Sequence, residues 1–387
     1  MAEAEQVIVF VDDEANILSA LRRELHGWAA KAGLGIATYS SAKEALAFLE
    51  SDHSRVAILV SDLRMPEMKG SDLLLAAKAR WPEIPTILLS GYSEAGELMK
   101  AVKAGIMSYI LKPWDSDYLR AELDKALELR RVREENEAYA RRVEEELRWA
   151  GAFQKTFLKP SLKSTEGIEA HATWRPVEGL YCGGDYYDVL NVGKRRYLAL
   201  IGDVAGHGIK AAFVTGFLKT MIYTEYVGLS AGEGFSTSRF LEWLNNRVSF
   251  ELRQSANLLV SFAALFLDLD AGTVRYANAG HCKPLILRDG RTLQLPVSGP
   301  ALGFHSSVSY QEQLESLAPG DVLFLHTDGL VEVGSSSGRE ARAAIGDILR
   351  SVAYGEAYHA RVMEACLAAS GTSAFDDDVT ILSIKIL

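Results

Sequence analysis

Apolar residues near the start of this chain come in short unbroken runs, and each run ends on a group that can do chemistry. Val7–Val11 ends in Asp12-Asp13-Glu14, Val56–Val60 delivers Asp62, Thr86–Leu89 delivers Ser90, and Ile106–Leu111 delivers Lys112 before Pro113. Runs this short and this continuous predict strands buried on both faces. Ile17, Leu18, Leu21 and Leu25 recur at helical spacing and predict a helix over Asn16–Gly27. Strands alternating with helices predict a doubly wound parallel α/β sheet, in which ligands gather at the carboxyl ends of the strands. All the polar residues just named lie on that edge. Two acids at one strand end and one at another would form a Mg²⁺ site, with Lys112 adding positive charge near Asp62.

The period then changes. Tyr118–Leu158 has no Pro and only Gly151, and Leu129, Val132, Tyr139, Val143, Ala150, Phe153 and Phe157 follow alternating three- and four-residue steps. Asn136 and Glu146 fill the remaining places. This spacing predicts a coiled-coil linker helix over 121–158, in which Asn136 would select a parallel two-stranded register and so a parallel homodimer. The alternative is one solvated helix whose apolar stripe packs on a neighbouring domain. Arg130, Arg131, Arg133, Arg141 and Arg142 alternate with Glu134, Glu135, Glu137 and Glu144–Glu146, which predicts pairing between successive helical turns.

Beyond position 159 the pattern of apolar runs ending in acids returns. Tyr197–Ile201 leads into Asp203 within Ile201-Gly202-Asp203-Val204-Ala205-Gly206-His207-Gly208, and Val322–Leu325 leads into Asp328 within Thr327-Asp328-Gly329. Cys182-Gly183-Gly184-Asp185, Ala279-Gly280-His281 and Asp376-Asp377-Asp378-Val379-Thr380 complete a set of five segments. Acids presented beside flexible residues suit hard cations such as Mg²⁺ and Mn²⁺, and a pair of such ions can activate a water. The reading is a metal-dependent hydrolase. An apolar helix is expected over Ile209–Tyr226, starting beside Asp203.

Composition narrows the classes. A net charge of −10 argues against nonspecific nucleic-acid binding, and no helix-turn-helix or basic arm stands out. Cys182, Cys282 and Cys366 show no CxxC spacing and suit a reducing cytosol as small packing residues; the alternative, for Cys182 and Cys282 beside the site motifs, is a redox-sensitive or zinc-binding pair. Met1–Gln6 lacks the apolar core of a signal peptide, and the longest apolar stretch, Leu258–Leu267, is too short to span a bilayer. The expectation is a cytoplasmic protein with no membrane or nucleic-acid partner.

The order GGD, GDVxGHG, NAGH, TDG, DDxT over roughly 160–387 resembles the SpoIIE/RsbU branch of the PPM-type metal-dependent serine/threonine protein phosphatases. The resemblance implies an α+β domain, a β-sandwich flanked by helices, in which Asp185, Asp203, Asp328 and Asp377 hold two Mn²⁺ or Mg²⁺ ions. The carbonyl of Val204 would complete the shell, and water activated at the metals would attack a phosphoserine or phosphothreonine in line. Asp378 is then the acid next to the ligands, and Asp188 and Asp376 are surface carboxylates or reach a metal through water. His207 and His281 either hydrogen-bond a loop or protonate the leaving oxygen. No Arg stands in the first motif to grip phosphate, so affinity would rest on the metals and a docking surface.

The earlier segment, roughly 5–125, resembles a two-component response-regulator receiver. That resemblance makes Asp62 the phosphoacceptor and assigns Mg²⁺ to Asp12, Asp13, Asp62 and the carbonyl of Arg64. Lys112 and Ser90 would contact the phosphoryl group, and Tyr109 would turn inward with Ser90. A cis bond before Pro113 would fit the family. The expected organisation is a receiver over 1–120, a linker helix over 121–158 and a phosphatase over 159–387. It implies a sensor histidine kinase upstream and a phosphorylated protein, such as an anti-sigma-factor antagonist, downstream. A noncatalytic adaptor is the alternative, which retention of the four acids disfavours. A transcription factor is disfavoured by the acidic charge.

Overall fold

In a computed structural model, residues 6–91, 105–158, 166–227, 235–251, 258–332 and 338–387 are described. All but Gln6 of the expected acidic start, and Pro160 at the linker's end, lie outside them. The chain divides into two compact units, Met1–Arg142 and Val143–Leu387. No helix among the described residues is long and apolar enough to cross a membrane.

The first unit runs β1 (Val7–Val11), α1 (Ala15–Lys31), β2 (Gly35–Tyr39), α2 (Ala42–Asp52), β3 (Val56–Asp62), α3 (Gly70–Arg80), β4 (Thr86–Ser90) and β5 (Ser108–Leu111). The strands form one parallel sheet in the order β2-β1-β3-β4-β5. Period two explains why its strands read as solid apolar runs. Val7, Val9 and Val11 pack with α2 and α3, while Ile8 and Phe10 pack with α1. Helix α1 outruns the expected Asn16–Gly27 because Ala29, 2% exposed, extends its buried stripe past Gly27. The sequence pattern missed β2, whose residues are all only partly buried and so lack an apolar run. It also began the last strand two residues early.

Helix α4 (Ser116–Phe157) has 42 residues and is about 63 Å long. Leu119, Leu123 and Ala126 are fully buried against β1, β3, β4 and β5, and Trp28 donates to Asp124 at 2.9 Å. Of the expected pairs between successive turns, Arg130–Glu134, Arg131–Glu135 and Glu137–Arg141 form, and Glu144 pairs with Arg148, which lies outside the expected set. The boundary between the compact units falls inside this helix.

The second unit adds β6 (Ile168–Arg175), β7 (Asp185–Gly193), β8 (Arg196–Val204), α5 (Ile209–Met221), α6 (Thr237–Glu251), β9 (Val260–Asp268), β10 (Thr273–Ala279), β11 (Leu285–Arg288), β12 (Arg291–Gln294), β13 (Gln313–Ser316), β14 (Val322–His326), α7 (Gly338–Ser351), α8 (Tyr358–Ser370) and β15 (Val379–Ile386). Two antiparallel sheets, β13-β10-β9-β8-β7 and β12-β11-β14-β15-β6, stack as a sandwich with helices on both outer faces. On β8, Tyr197, Ala199 and Ile201 enter the core between the sheets, while Leu198 and Leu200 meet α5 and α6. Leu323 and Leu325 on β14 face the same inter-sheet core, and Phe324 packs under α7 and α8. The helix expected over Ile209–Tyr226 is α-helical only to Met221 and continues as a π-helical turn over Ile222–Val227.

Candidate active site

The sandwich brings the acids together. Strands β7 and β8 pair antiparallel with Asp185 directly opposite Asp203. Opposed side chains on such a pair lie about 5 Å apart, where like charges repel. Asp185 is 1% exposed. Burial first, then the charges of Asp203 and Asp378, push its carboxyl well above the usual range, against hydrogen bonds from Thr380 and Thr327. Burial raises Asp203 to about 7, helped by Asp328, Asp377 and Asp378. The charges acting on Asp203 are thus all carboxylates.

Threonines hold this arrangement across the two sheets. Thr327 Oγ1 donates to Asp185 Oδ2 at 2.9 Å and Thr380 Oγ1 donates to the same oxygen at 2.7 Å. Thr380 N–H donates to Thr327 Oγ1 at 2.9 Å, and Thr327 N–H donates to the Thr380 carbonyl at 3.1 Å. Both threonines stand inside the motifs, but nothing in the spacing of the motifs shows that their hydroxyls meet Asp185.

Asp378 serves the loop that carries Asp185. Its Oδ1 accepts from Val177 N–H at 2.8 Å and its Oδ2 from Gly184 N–H at 2.7 Å. A Cβ on Gly183 would lie 2.3 Å from Asp378 Oδ2, and one on Gly184 would lie 2.6 Å from the Val204 carbonyl oxygen. Both positions therefore exclude side chains. Val204 N–H donates to the Gly184 carbonyl at 3.1 Å, joining the two acid-bearing segments.

The remaining residues separate by environment. Asp328 opens a 3₁₀ turn after β14 and is half-buried; Asp377 and Asp376 are exposed. His207 is exposed and close enough to Asp378 to act on its charge. His281 is buried, with Nδ1 2.7 Å from Ser261 Oγ and its backbone held by the Asn278 side chain. Burial lowers it to about 3, so the ring is neutral. Asp188 is not a surface carboxylate: it is 1% exposed and pairs with Lys219 at 3.2 Å.

Mutually repelling carboxylates, of which Asp185 and Asp378 are buried, fit a hard divalent cation, whose charge would reverse the cost of keeping them ionised. As placed, no three Asp, Glu, His or Cys side chains among the described residues enclose a metal position. What the structure displays at this end of the sandwich is converging negative charge around Asp203.

At the first unit's sheet edge, Lys112 Nζ contacts Asp12 Oδ2 at 2.6 Å and also pairs with Asp62 Oδ1. Asp62 Oδ2 accepts from Arg64 N–H at 2.7 Å. Burial raises Asp62 despite Lys112, with Asp12 adding to the rise. Burial acts to lower Lys112, but its two carboxylate bonds outweigh that and hold it above its ordinary value. Asp13 is exposed, Ser90 ends β4, and Tyr109 on β5 is 41% exposed. The Lys112–Pro113 bond is cis.

This combination defines an α/β receiver followed by a PP2C-like sandwich. Residues 193–387, just over half of the chain, match the family model for stage II sporulation protein E (SpoIIE), and the chain belongs to that family. Residues 8–124 match the response regulator receiver domain, a span that contains Asp12, Asp13, Asp62, Arg64, Ser90, Tyr109 and Lys112. The SpoIIE match covers Asp203, Asp328 and Asp377 and starts after Asp185. The SiaA-PP2C domain of Pseudomonas aeruginosa is 20% identical, covers 65% of this chain and 99% of its own, and superposes with a TM-score of 0.51, showing the shared fold. The hydrogenase transcriptional regulatory protein HoxA of Cupriavidus necator is 37% identical over 129 residues, 33% of this chain and 25% of that protein. The transcriptional regulatory protein ZraR of Escherichia coli O157:H7 is 38% identical over 121 residues, 31% of this chain and 26% of that protein. The chain thus spans about a quarter of the length of these curated relatives.

Proposed function

We propose that this protein is a response regulator in which phosphorylation of Asp62 controls a metal-dependent phosphoserine/phosphothreonine protein phosphatase. The observation that carries the reading is the pairing of Asp185 with Asp203 in a site where Asp328 and Asp377 also act on Asp203. A protein does not oppose a buried carboxylate, Asp185, to a half-buried one, Asp203, across a ladder for stability. Asp185, Asp203, Asp328, Asp377 and the Val204 carbonyl would hold two Mn²⁺ or Mg²⁺ ions. When bound, these cations would supply the charge that lowers the pKa of an attacking water and neutralises the phosphoryl group. Thr327 and Thr380 orient Asp185, and Asp378 fixes the backbone behind it.

In the receiver, Lys112 and Ser90 would meet the incoming phosphoryl group, with Asp12, Asp13 and the Arg64 carbonyl around Mg²⁺. A sensor histidine kinase is the donor that this chemistry implies. The substrate is a phosphoprotein, and an anti-sigma-factor antagonist suits the SpoIIE family. The domains assign as 1–120, 121–158 and 159–387.

Phosphate release from a phosphoserine peptide tests the reading. Turnover should require Mn²⁺ or Mg²⁺, vanish with chelator, and fall by at least about a hundredfold in Asp203→Asn while the fold persists. Beryllofluoride should change wild-type turnover and leave Asp62→Asn unaffected. Metal-independent or undiminished turnover in Asp203→Asn would remove the mechanism and favour an adaptor.

A further inference from the structure

Beside the acids lies a cavity of about 410 Å³, within the size range of small-ligand sites, and its lining includes Asp203, Asp328, His281, His326 and Lys283. Lys283 is the only Lys or Arg among its described lining residues, and no hydrogen bond or ion pair joins it to another described residue. It is half-buried and sits on the crossover from β10 in one sheet to β11 in the other. That crossover is braced at both ends. Asn278 Nδ2 donates to the His281 carbonyl at 3.0 Å while its Oδ1 accepts from His281 N–H at 2.8 Å. On the other side, Leu295 N–H donates to the Pro284 carbonyl at 2.9 Å. Lys283 is therefore a tethered cation on a braced backbone, lining a cavity that Asp203 and Asp328 also line, in a chain whose first motif offers no Arg.

We infer that Lys283 is the substrate-binding residue that grips the phosphoryl group of the phosphorylated side chain. The inference rests on the phosphatase reading and deepens it. Carboxylates alone would repel a phosphate dianion, and a lysine ammonium is a compact charge that pairs with phosphate oxygens without demanding a planar geometry. Its four-carbon stem lets the head follow the group through hydrolysis and release it as orthophosphate.

The test uses the full chain in Mg²⁺, with orthophosphate binding followed by calorimetry and hydrolysis followed with p-nitrophenyl phosphate. Loss of one charge-assisted contact should weaken orthophosphate binding and raise KM by roughly tenfold to a hundredfold in Lys283→Ala. In that variant kcat and Mg²⁺ affinity should stay within a few-fold of wild type. Lys283→Arg should recover most of the affinity, and Lys194→Ala, an exposed lysine in the β7–β8 turn, should bind as wild type does. A purely structural role would instead move kcat, Mg²⁺ affinity and stability together. Equal orthophosphate affinity in wild type and Lys283→Ala, or no binding by wild type at tens of millimolar, overturns the assignment. Lys283-dependent binding without any hydrolysis would refute the phosphatase reading and leave the anion site standing.

Discussion

His359, near the start of α8, is 7% exposed, with Nδ1 2.8 Å from Thr173 Oγ1 and Nε2 2.8 Å from Ser383 Oγ. Burial, reinforced by the charge of His171, lowers it from 6.5 to about 4. The unfolded chain therefore binds this proton more readily than the folded one. The stability tied to the neutral ring is complete above pH 6.5 and is lost as the pH falls toward 4, by roughly 3 kcal/mol in all. The difference in urea-unfolding free energy between wild type and His359→Gln should decline by roughly 2–3 kcal/mol across that window. Taking the difference cancels the opposite trend from Asp203; a flat difference would mean that the ring is not held neutral. At this scale the acids were legible because each ends an apolar run or sits in a motif. Thr327 and Thr380 were not, because their value lies in meeting Asp185 from the opposite sheet, Thr380 from β15 and Thr327 from just past the end of β14. Lys283 was silent too, since nothing in its neighbours' spacing shows that the crossover borders the acid site.

Strands and helices were legible where one physical period dominates. β1, β3, β4, β8 and β14 read as solid apolar runs because both faces are buried, whereas β2, partly solvated throughout, gave no run to read. The end of α4 shows what periodicity conceals. Gln154 reads as an ordinary polar position, yet it is 5% exposed; its Nε2 donates to the Gly183 carbonyl at 2.7 Å and Thr215 Oγ1 at 3.0 Å, and its Oε1 accepts from Gly183 N–H at 3.1 Å. One side chain thereby joins α4, the loop before Asp185 and helix α5, which follows Asp203. Gly151 permits this approach, since a Cβ there would lie 2.1 Å from the Tyr181 carbonyl oxygen. Gln154→Ala would leave the buried Gly183 amide and carbonyl unpaired, costing roughly 2–4 kcal/mol. The thermal midpoint should fall, and more Mn²⁺ should be needed to restore it, because the Asp185 loop loses its brace. An unchanged midpoint and metal requirement would show that α4 does not position the site.

At the scale of the whole molecule, motif order announced a receiver and a phosphatase. It did not announce that the boundary between compact units falls between Arg142 and Val143, because the helical period runs through that point without a break. The same helix leaves apolar surface uncovered in the single chain. Leu129 is 48% exposed, Val132 41%, Tyr139 69% and Phe153 58%, while Trp149, 71% exposed, stacks on Phe153 at 5.6 Å. The first four fall on the alternating three- and four-residue series, and an uncovered stripe with that spacing calls for another helix of the same spacing. A second copy of this chain meets the requirement, so the protein should be a dimer through α4. Tyr139→Glu separates this from a solitary helix. With so little of Tyr139 buried within one chain, the substitution should leave monomer stability within about 0.5 kcal/mol of wild type. Across a two-helix seam it would set carboxylates against each other in apolar surroundings and weaken association. Sedimentation should then show the variant dissociating at concentrations where wild type remains dimeric. Asp62 should still accept phosphate from a small donor, and turnover should no longer respond to beryllofluoride. A wild-type chain that sediments as a monomer with and without beryllofluoride would leave the stripe without its partner and remove the helix as the route from Asp62 to the catalytic acids.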